Sequence, residues 1–114
     1  MTTLDPEDIK LVTLARSSRA RSGAPEGAAV RDVDGRTYAA VAMTLPSLRL
    51  SALQLAVAMA VSSGAAGVEA AAIVRSDGVD SEAGIDALRE LAGHHVVPVV
   101  IAGPDGSVRS VVST

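Results

Sequence analysis

No cysteine, tryptophan, phenylalanine or asparagine occurs in the 114 residues, and Tyr38 is the lone member of the Phe, Trp and Tyr class. Without a thiol, neither a disulfide framework nor a thiolate-bound metal can form. With 48% hydrophobic but 1% aromatic residues, the core has to be built from Ala, Val, Leu and Ile. Such a core lacks the buried area that rings supply, which predicts packing against further copies of the chain as a homo-oligomer, dimer or tetramer. Basic residues are outnumbered, 10 against 13, for a net charge of −3. That balance argues against a nucleic-acid partner, which needs a concentrated basic face. Arg16, Arg19 and Arg21 are the one local basic cluster and read as favourable charge at a helix C-terminus in preference to an anion site. The opening through Asp8 is acidic and has no apolar run, so no secretion signal is expected and the cytoplasm is the default location.

The chain is long enough for one domain, residues 1–114. Asp5-Pro6-Glu7-Asp8 is a helix start, with a capping carboxylate, a first-turn proline and acids at the positive end of the dipole. This helix should run to about Arg21 on a stripe of Ile9, Val12 and Ala15 with Leu11, and stop at Gly23 and Pro25. Ala28 to Val30 and Thr37 to Val41 flank the turn-forming Asp32-Val33-Asp34-Gly35-Arg36, a β-hairpin with Gly35 at positive φ. Pro46-Ser47 marks a boundary, after which a helix is expected from Leu48 to about Ser63. Leu50 through Val68 carries no charge, but its alanines, serines and Gly64 and Gly67 leave too little hydrophobic drive for membrane insertion. It reads as a helix buried on several sides.

A strand follows over Val68 to Arg75. A third helix, capped by Asp80 or Ser81, reaches Leu91 on a stripe of Ile85, Leu88, Leu91 and Ala92, and Gly93 ends it. Val96 to Ala102 is a nearly continuous apolar strand, expected to be covered on both faces. Gly103-Pro104-Asp105-Gly106 turns the chain into a last strand through Val108, Val111 and Val112. The fold class is therefore α/β, and the two later helices act as crossovers that favour parallel pairing of the strands they join.

Three stretches resemble the small cytidine deaminases: Glu26-Gly27-Ala28-Ala29-Val30, Asp34-Gly35-Arg36-Thr37-Tyr38, and Ser51-Ala52-Leu53-Gln54-Leu55-Ala56-Val57-Ala58. The resemblance covers most of the chain and implies a cytidine deaminase-like three-layer fold, a mixed five-stranded sheet with helices on both faces. It also implies a homotetramer and a zinc-activated water attacking a pyrimidine ring. In that family a Cys-Ala-Glu or His-Ala-Glu element opens the second helix and Pro-Cys-x-x-Cys opens the third. Laid onto this sequence, within about a residue, the first zinc ligand falls at Ala52 and the catalytic glutamate at Gln54. The cysteine pair falls near Ser81 and Gly84. Alanine and glycine have no donor side chain, serine stays protonated, and glutamine cannot exchange a proton near neutral pH. The ribose-gripping Asn-Val-Glu-Asn stretch corresponds to Val41-Ala42-Met43-Thr44, and the aromatic expected near Ala24 is absent.

The expectation is thus a non-catalytic cytidine deaminase-like protein, a homo-oligomeric interaction or ligand-binding module without zinc or other cofactor. No catalytic or metal residue is assigned, and Gln54 and Ser81 are the candidate binding residues. A nucleoside is a weak small-molecule partner at most, and no membrane or particular protein partner is indicated. The alternative is an enzyme hydrolysing cytidine or a related nucleoside through an atypical metal site that uses His94 or His95, or ligands donated across a subunit interface. Neighbouring residues entering a strand point to opposite faces, so that pair reads as exposed histidines at a helix end. Asp77, Asp80 and Glu82 lack the ligand alternation of a calcium loop and read as capping chemistry. Gly64-Ala65-Ala66-Gly67 lacks the Lys-Ser or Lys-Thr of a phosphate loop and reads as helix termination. Gln54, polar inside an apolar helix, reads as a satisfied core group or a subunit contact.

Overall fold

The structure is a computed structural model and describes residues 4–76 and 83–114. Helix α1 spans Pro6–Ser22. Its start is as read from sequence: the Asp5 carboxylate accepts from the Glu7 amide at 2.8 Å, and Gly23 closes it with φ 70. Its buried face is Leu11, Val12, Ala15 and Ser18, whereas Ile9 is 48% exposed. At 100° per residue, Ile9 falls some 200° around the helix from Leu11, which turns it away from the sheet.

Strands β1 (Glu26–Asp32) and β2 (Thr37–Val41) form the expected hairpin, with Val30 opposite Tyr38. Its turn is organised by Asp32, only 1% exposed. One carboxylate oxygen accepts from the amides of Asp34 and Arg36, both at 2.9 Å, and the other accepts from the Tyr38 hydroxyl at 2.9 Å. Gly35 takes φ 85 within this turn.

The next segment departs from expectation. Met43–Leu45 (β3) and Leu48–Leu50 (β4) pair as a second, two-stranded hairpin around Pro46-Ser47. Helix α2 therefore begins at Ala52 rather than Leu48, and ends at Ser62. The local reason is the Ser51-x-x-Gln54 capping box: Ser51 Oγ accepts from the Gln54 amide at 3.0 Å and Gln54 Oε1 accepts from the Ser51 amide at 2.9 Å. Two orphan amides of the first helical turn are satisfied at once, which fixes the start four residues later than the proline suggests.

Strand β5 covers Val68–Arg75, α3 covers Ile85–Ala92, β6 covers Pro98–Ala102 and β7 covers Val108–Ser113. Ile85, Leu88 and Ala92 are the buried stripe of α3, as its spacing predicts. Val96 stands outside β6 and is 75% exposed. The proposed caps at Asp80 and Ser81 lie outside the described residues. At the described start of α3, Gly84 occupies the cap position with no side-chain hydrogen bond.

The main sheet has the order β2-β1-β5-β6-β7. Only the β5–β6 pair is parallel; β1 is antiparallel to both β2 and β5. The parallel pairing expected across α2 does not form: β4, which leads into α2, belongs to the two-stranded sheet, and within the main sheet β1 lies between β2 and β5. Helix α1 covers one face, burying Leu11, Val12 and Ala15 against Ala29, Ala70, Ala72, Val74, Val100 and Ala102. The opposite face packs against α2 and α3 through Leu53, Ala56, Val57, Ile85 and Leu88. The core is aliphatic, and Ala residues let the layers approach closely. At Gly27 the approach is closest: a Cβ there would overlap the Ala15 carbonyl oxygen. No described helix is long and apolar enough to cross a membrane.

Candidate functional site at the converging helix starts

The start of α2 lies at the amino end of β1, where Glu26 opens the strand. Glu26 is 5% exposed, and its Oε1 accepts from the buried Ala52 amide at 2.9 Å. A carboxylate here satisfies another orphan amide of α2 and faces the positive end of its dipole. The backbone of the same residue accepts from the Ala42 amide at 3.2 Å. Glu26 therefore ties β1, the segment after β2 and the first turn of α2 to one another.

The start of α3 meets the same point. Ser51 Oγ donates to the Ala83 carbonyl at 2.6 Å while accepting from Gln54. A Cβ on Gly84 would stand 2.9 Å from the Gln54 nitrogen and 2.9 Å from the Leu53 Cβ, and Gly84 has φ 110. Only glycine combines that backbone with that closeness, so the two helix starts touch through a residue without a side chain.

Among the sequence candidates, Ala52, Gln54 and Gly84 are brought together at this junction, with Ala42 of the Val41 to Thr44 segment beside them. Ala52 is fully buried. Gln54 is half-buried and is a capping side chain rather than an isolated polar group within the core. Ser81 lies outside the described residues, as do Asp77, Asp80 and Glu82. His94 and His95 are exposed and follow the C-terminal end of α3. The eight residues of that helix span about 12 Å at 1.5 Å per residue, so the imidazoles stand a helix length from the junction. Two residues went unnoticed in sequence. Ser51 was legible from the S-x-x-Q spacing, whereas nothing local marks Glu26 as buried, since its partner amide is 26 positions away.

The junction can be tested for zinc through its donor chemistry. A catalytic zinc takes three ligands from imidazole, thiolate and carboxylate and keeps a fourth position open. The described residues here offer one carboxylate, Glu26, beside a serine hydroxyl, a glutamine amide and a backbone carbonyl. The Glu26 oxygen is engaged by Ala52, the hydroxyl by Gln54 and Ala83, and the amide oxygen by Ser51. Among the described residues no group of three or more His, Cys, Asp or Glu side chains stands close enough to hold a metal. This set does not fit zinc.

The titration behaviour of the other buried carboxylate has a clear cause. Burial raises the Asp32 carboxyl, but hydrogen bonds from the Tyr38 hydroxyl and the Arg36 and Asp34 amides outweigh it and hold the group below the usual carboxylate range. In return, the bond to Asp32, with burial, pushes the Tyr38 hydroxyl up. Asp32 ends β1 six residues from Glu26, about 20 Å along the strand. It serves the hairpin turn.

The family model described as cytidine deaminase-like matches residues 4–106. The chain is similar in structure to a cytidine deaminase from Burkholderia pseudomallei, at 25% identity and a TM-score of 0.76, covering 91% of this chain and 90% of that one. It is also similar in fold to a cytidine deaminase from Mycobacterium leprae, at 22% identity and a TM-score of 0.66, covering 88% and 89%. No curated protein matches the sequence.

Proposed function

We propose that this chain, which belongs to the cytidine deaminase-like family, is a non-catalytic member that acts without zinc as a homo-oligomeric interaction or ligand-binding module. The observation that carries this reading is the Glu26 carboxylate on the Ala52 amide. At the start of α2, where the family resemblance calls for a metal ligand, the chain has instead a hydrogen-bond cluster that engages Glu26 Oε1, Ser51 Oγ and Gln54 Oε1. Activation of water by a metal needs an open coordination position among basic ligands, and the described donors here bond one another. The absence of cysteine from the sequence supports the same conclusion.

Assembly is supported by the apolar surface left uncovered. Helix α2 carries no charge, with Val61 56% exposed, and the β3–β4 hairpin presents Leu45 and Leu48 at 52% and 46% exposure. Sedimentation equilibrium should give a mass that is a multiple of 11.4 kDa. A monomer at micromolar concentration would remove this part of the proposal.

Incubation of concentrated protein with cytidine and deoxycytidine should release no ammonia above a heat-killed control. Sustained turnover would overturn the non-catalytic reading. Ligand binding is read separately, by thermal shift against nucleosides. A ligand at one hundred times its dissociation constant stabilises a protein by about 2.7 kcal/mol, and no shift across the panel would leave protein interaction as the function.

A further inference from the structure

Two sets of cations in this chain differ in the acceptors they meet. Among the described residues, Lys10 pairs with Glu7, Arg31 with Asp8 and Glu69, and Arg89 with Asp86. Arg16 and Arg19 instead meet neutral acceptors. Arg16 Nε donates to the Pro104 carbonyl at 3.1 Å, and Arg19 donates from Nε to the Pro25 carbonyl at 3.2 Å and from a terminal nitrogen to Ser76 Oγ at 2.7 Å. None of these acceptors is a carbonyl of α1. The two side chains are therefore not simply closing their own helix, which was the reading of this cluster from sequence.

Their anchors have a definite place in the sheet. Strands β5 and β6 run parallel, with Val74 beside Ala102, and Ser76 and Pro104 each lie two residues beyond that pair. Parallel strands are about 4.8 Å apart, and residues three apart on a helix are separated by about 5–6 Å. Arg16 and Arg19, one turn apart on α1, thus reach equivalent points past the carboxyl ends of neighbouring parallel strands. The carboxylate of the turn after β6, Asp105, accepts from the Ser107 amide and hydroxyl at 2.9 and 2.6 Å through one oxygen and is attracted to Arg109.

We propose that Arg16 and Arg19 form a binding site for a phosphoryl oxyanion at the carboxyl ends of β5 and β6. Each guanidinium has five N–H donors in a planar fork. Arg16 uses one and Arg19 two on the protein's own oxygens, so both retain donors for the paired oxygens of a phosphate. The bonds to Pro104, Pro25 and Ser76 hold the forks in place without neutralising them. The site lies at the same end of the sheet as the helix junction, since Glu26 pairs with Arg75, but on the face that α1 covers, and does not depend on whether that junction is catalytic.

Titration of the isotopically labelled chain with inorganic phosphate and pyrophosphate, at constant ionic strength, tests this by NMR. Saturable movement is expected for the Nε–Hε signals of Arg16 and Arg19 and the amides of Ser76 and Gly106. R16Q and R19Q should each weaken binding at least about tenfold, the loss expected for one charge-assisted hydrogen bond. R21Q should leave binding unchanged, because Arg21 turns instead to Ser18 Oγ at 3.4 Å. R16K, which keeps the charge and the fold but not the fork, should fall between. Shifts that rise linearly without saturation, or equal losses in R21Q and R16Q, would show general charge attraction and overturn the site.

Discussion

Strand β1 begins and ends with a buried carboxylate, and the two behave as different devices. Asp32 takes three donors from its own hairpin, all within six residues of sequence. Glu26 reaches 26 residues ahead to a single amide at the start of α2. The local acid shapes a turn that any short hairpin of this sequence would need. The distant acid instead joins two elements at the place where the family resemblance puts chemistry. Burial alone therefore does not mark a site. What separates the two is whether the partner belongs to the same hairpin or to another element.

The comparison can be broken most severely at the turn. Asp32→Ala removes the acceptor of two amides and of the half-buried Tyr38 hydroxyl together, and the melting temperature should fall by about 10 °C in calorimetry. A fall of a degree or two would mean that the turn holds without its acid. At the other end, Gly84→Ala forces a Cβ against Leu53 and the Gln54 amide in a positive-φ backbone, and should cost about 2–3 kcal/mol by urea denaturation. Glu26→Val leaves the Ala52 amide buried without an acceptor and should cost about 1–3 kcal/mol. Equal stability to wild type would show that the Glu26 bond contributes nothing.

Acid tests the Asp32 carboxylate directly. The Asp32 group is depressed in the folded state, so its stabilisation is full above its ordinary value of 3.8 and is lost as pH falls through the lower folded value. Stability measured between pH 6 and 2 should therefore drop more steeply below about 4 in wild type than in Asp32→Asn. Parallel curves would remove Asp32 as the acid-sensitive group. The smallest effect belongs to Glu26→Gln, which keeps an acceptor for Ala52 and loses only the charge at the helix start, about 0.5 kcal/mol.

Most of the element order could be read from patterns that act over short distances. Asp5-Pro6, Gly23 and the Asp32 to Arg36 turn fixed their boundaries within a residue or two, because caps and turns are satisfied by neighbours. The error at Leu48 arose where two local signals competed. Pro46-Ser47 reads as the lead into a helix, while the capping box at Ser51 and Gln54 sets the real start and leaves Leu48–Leu50 to pair with Met43–Leu45. That shift changed the meaning of Gln54 from a misplaced core amide to a helix cap. Strand neighbours were harder still, since nothing in the hairpin sequence states that β1 rather than β2 faces β5. Glu26 was hidden for the same reason. Its role depends on an amide that only the assembled sheet brings near.

The account depends on the junction of α2 and α3 being held by a carboxylate and capping hydrogen bonds in place of a metal. Elemental analysis of untagged protein, produced in zinc-supplemented medium and dialysed against metal-free buffer, measures this directly. Zinc far below one ion per chain is the expected result, unchanged in Glu26→Gln. One tightly held zinc per chain, lost on that substitution, would contradict the account.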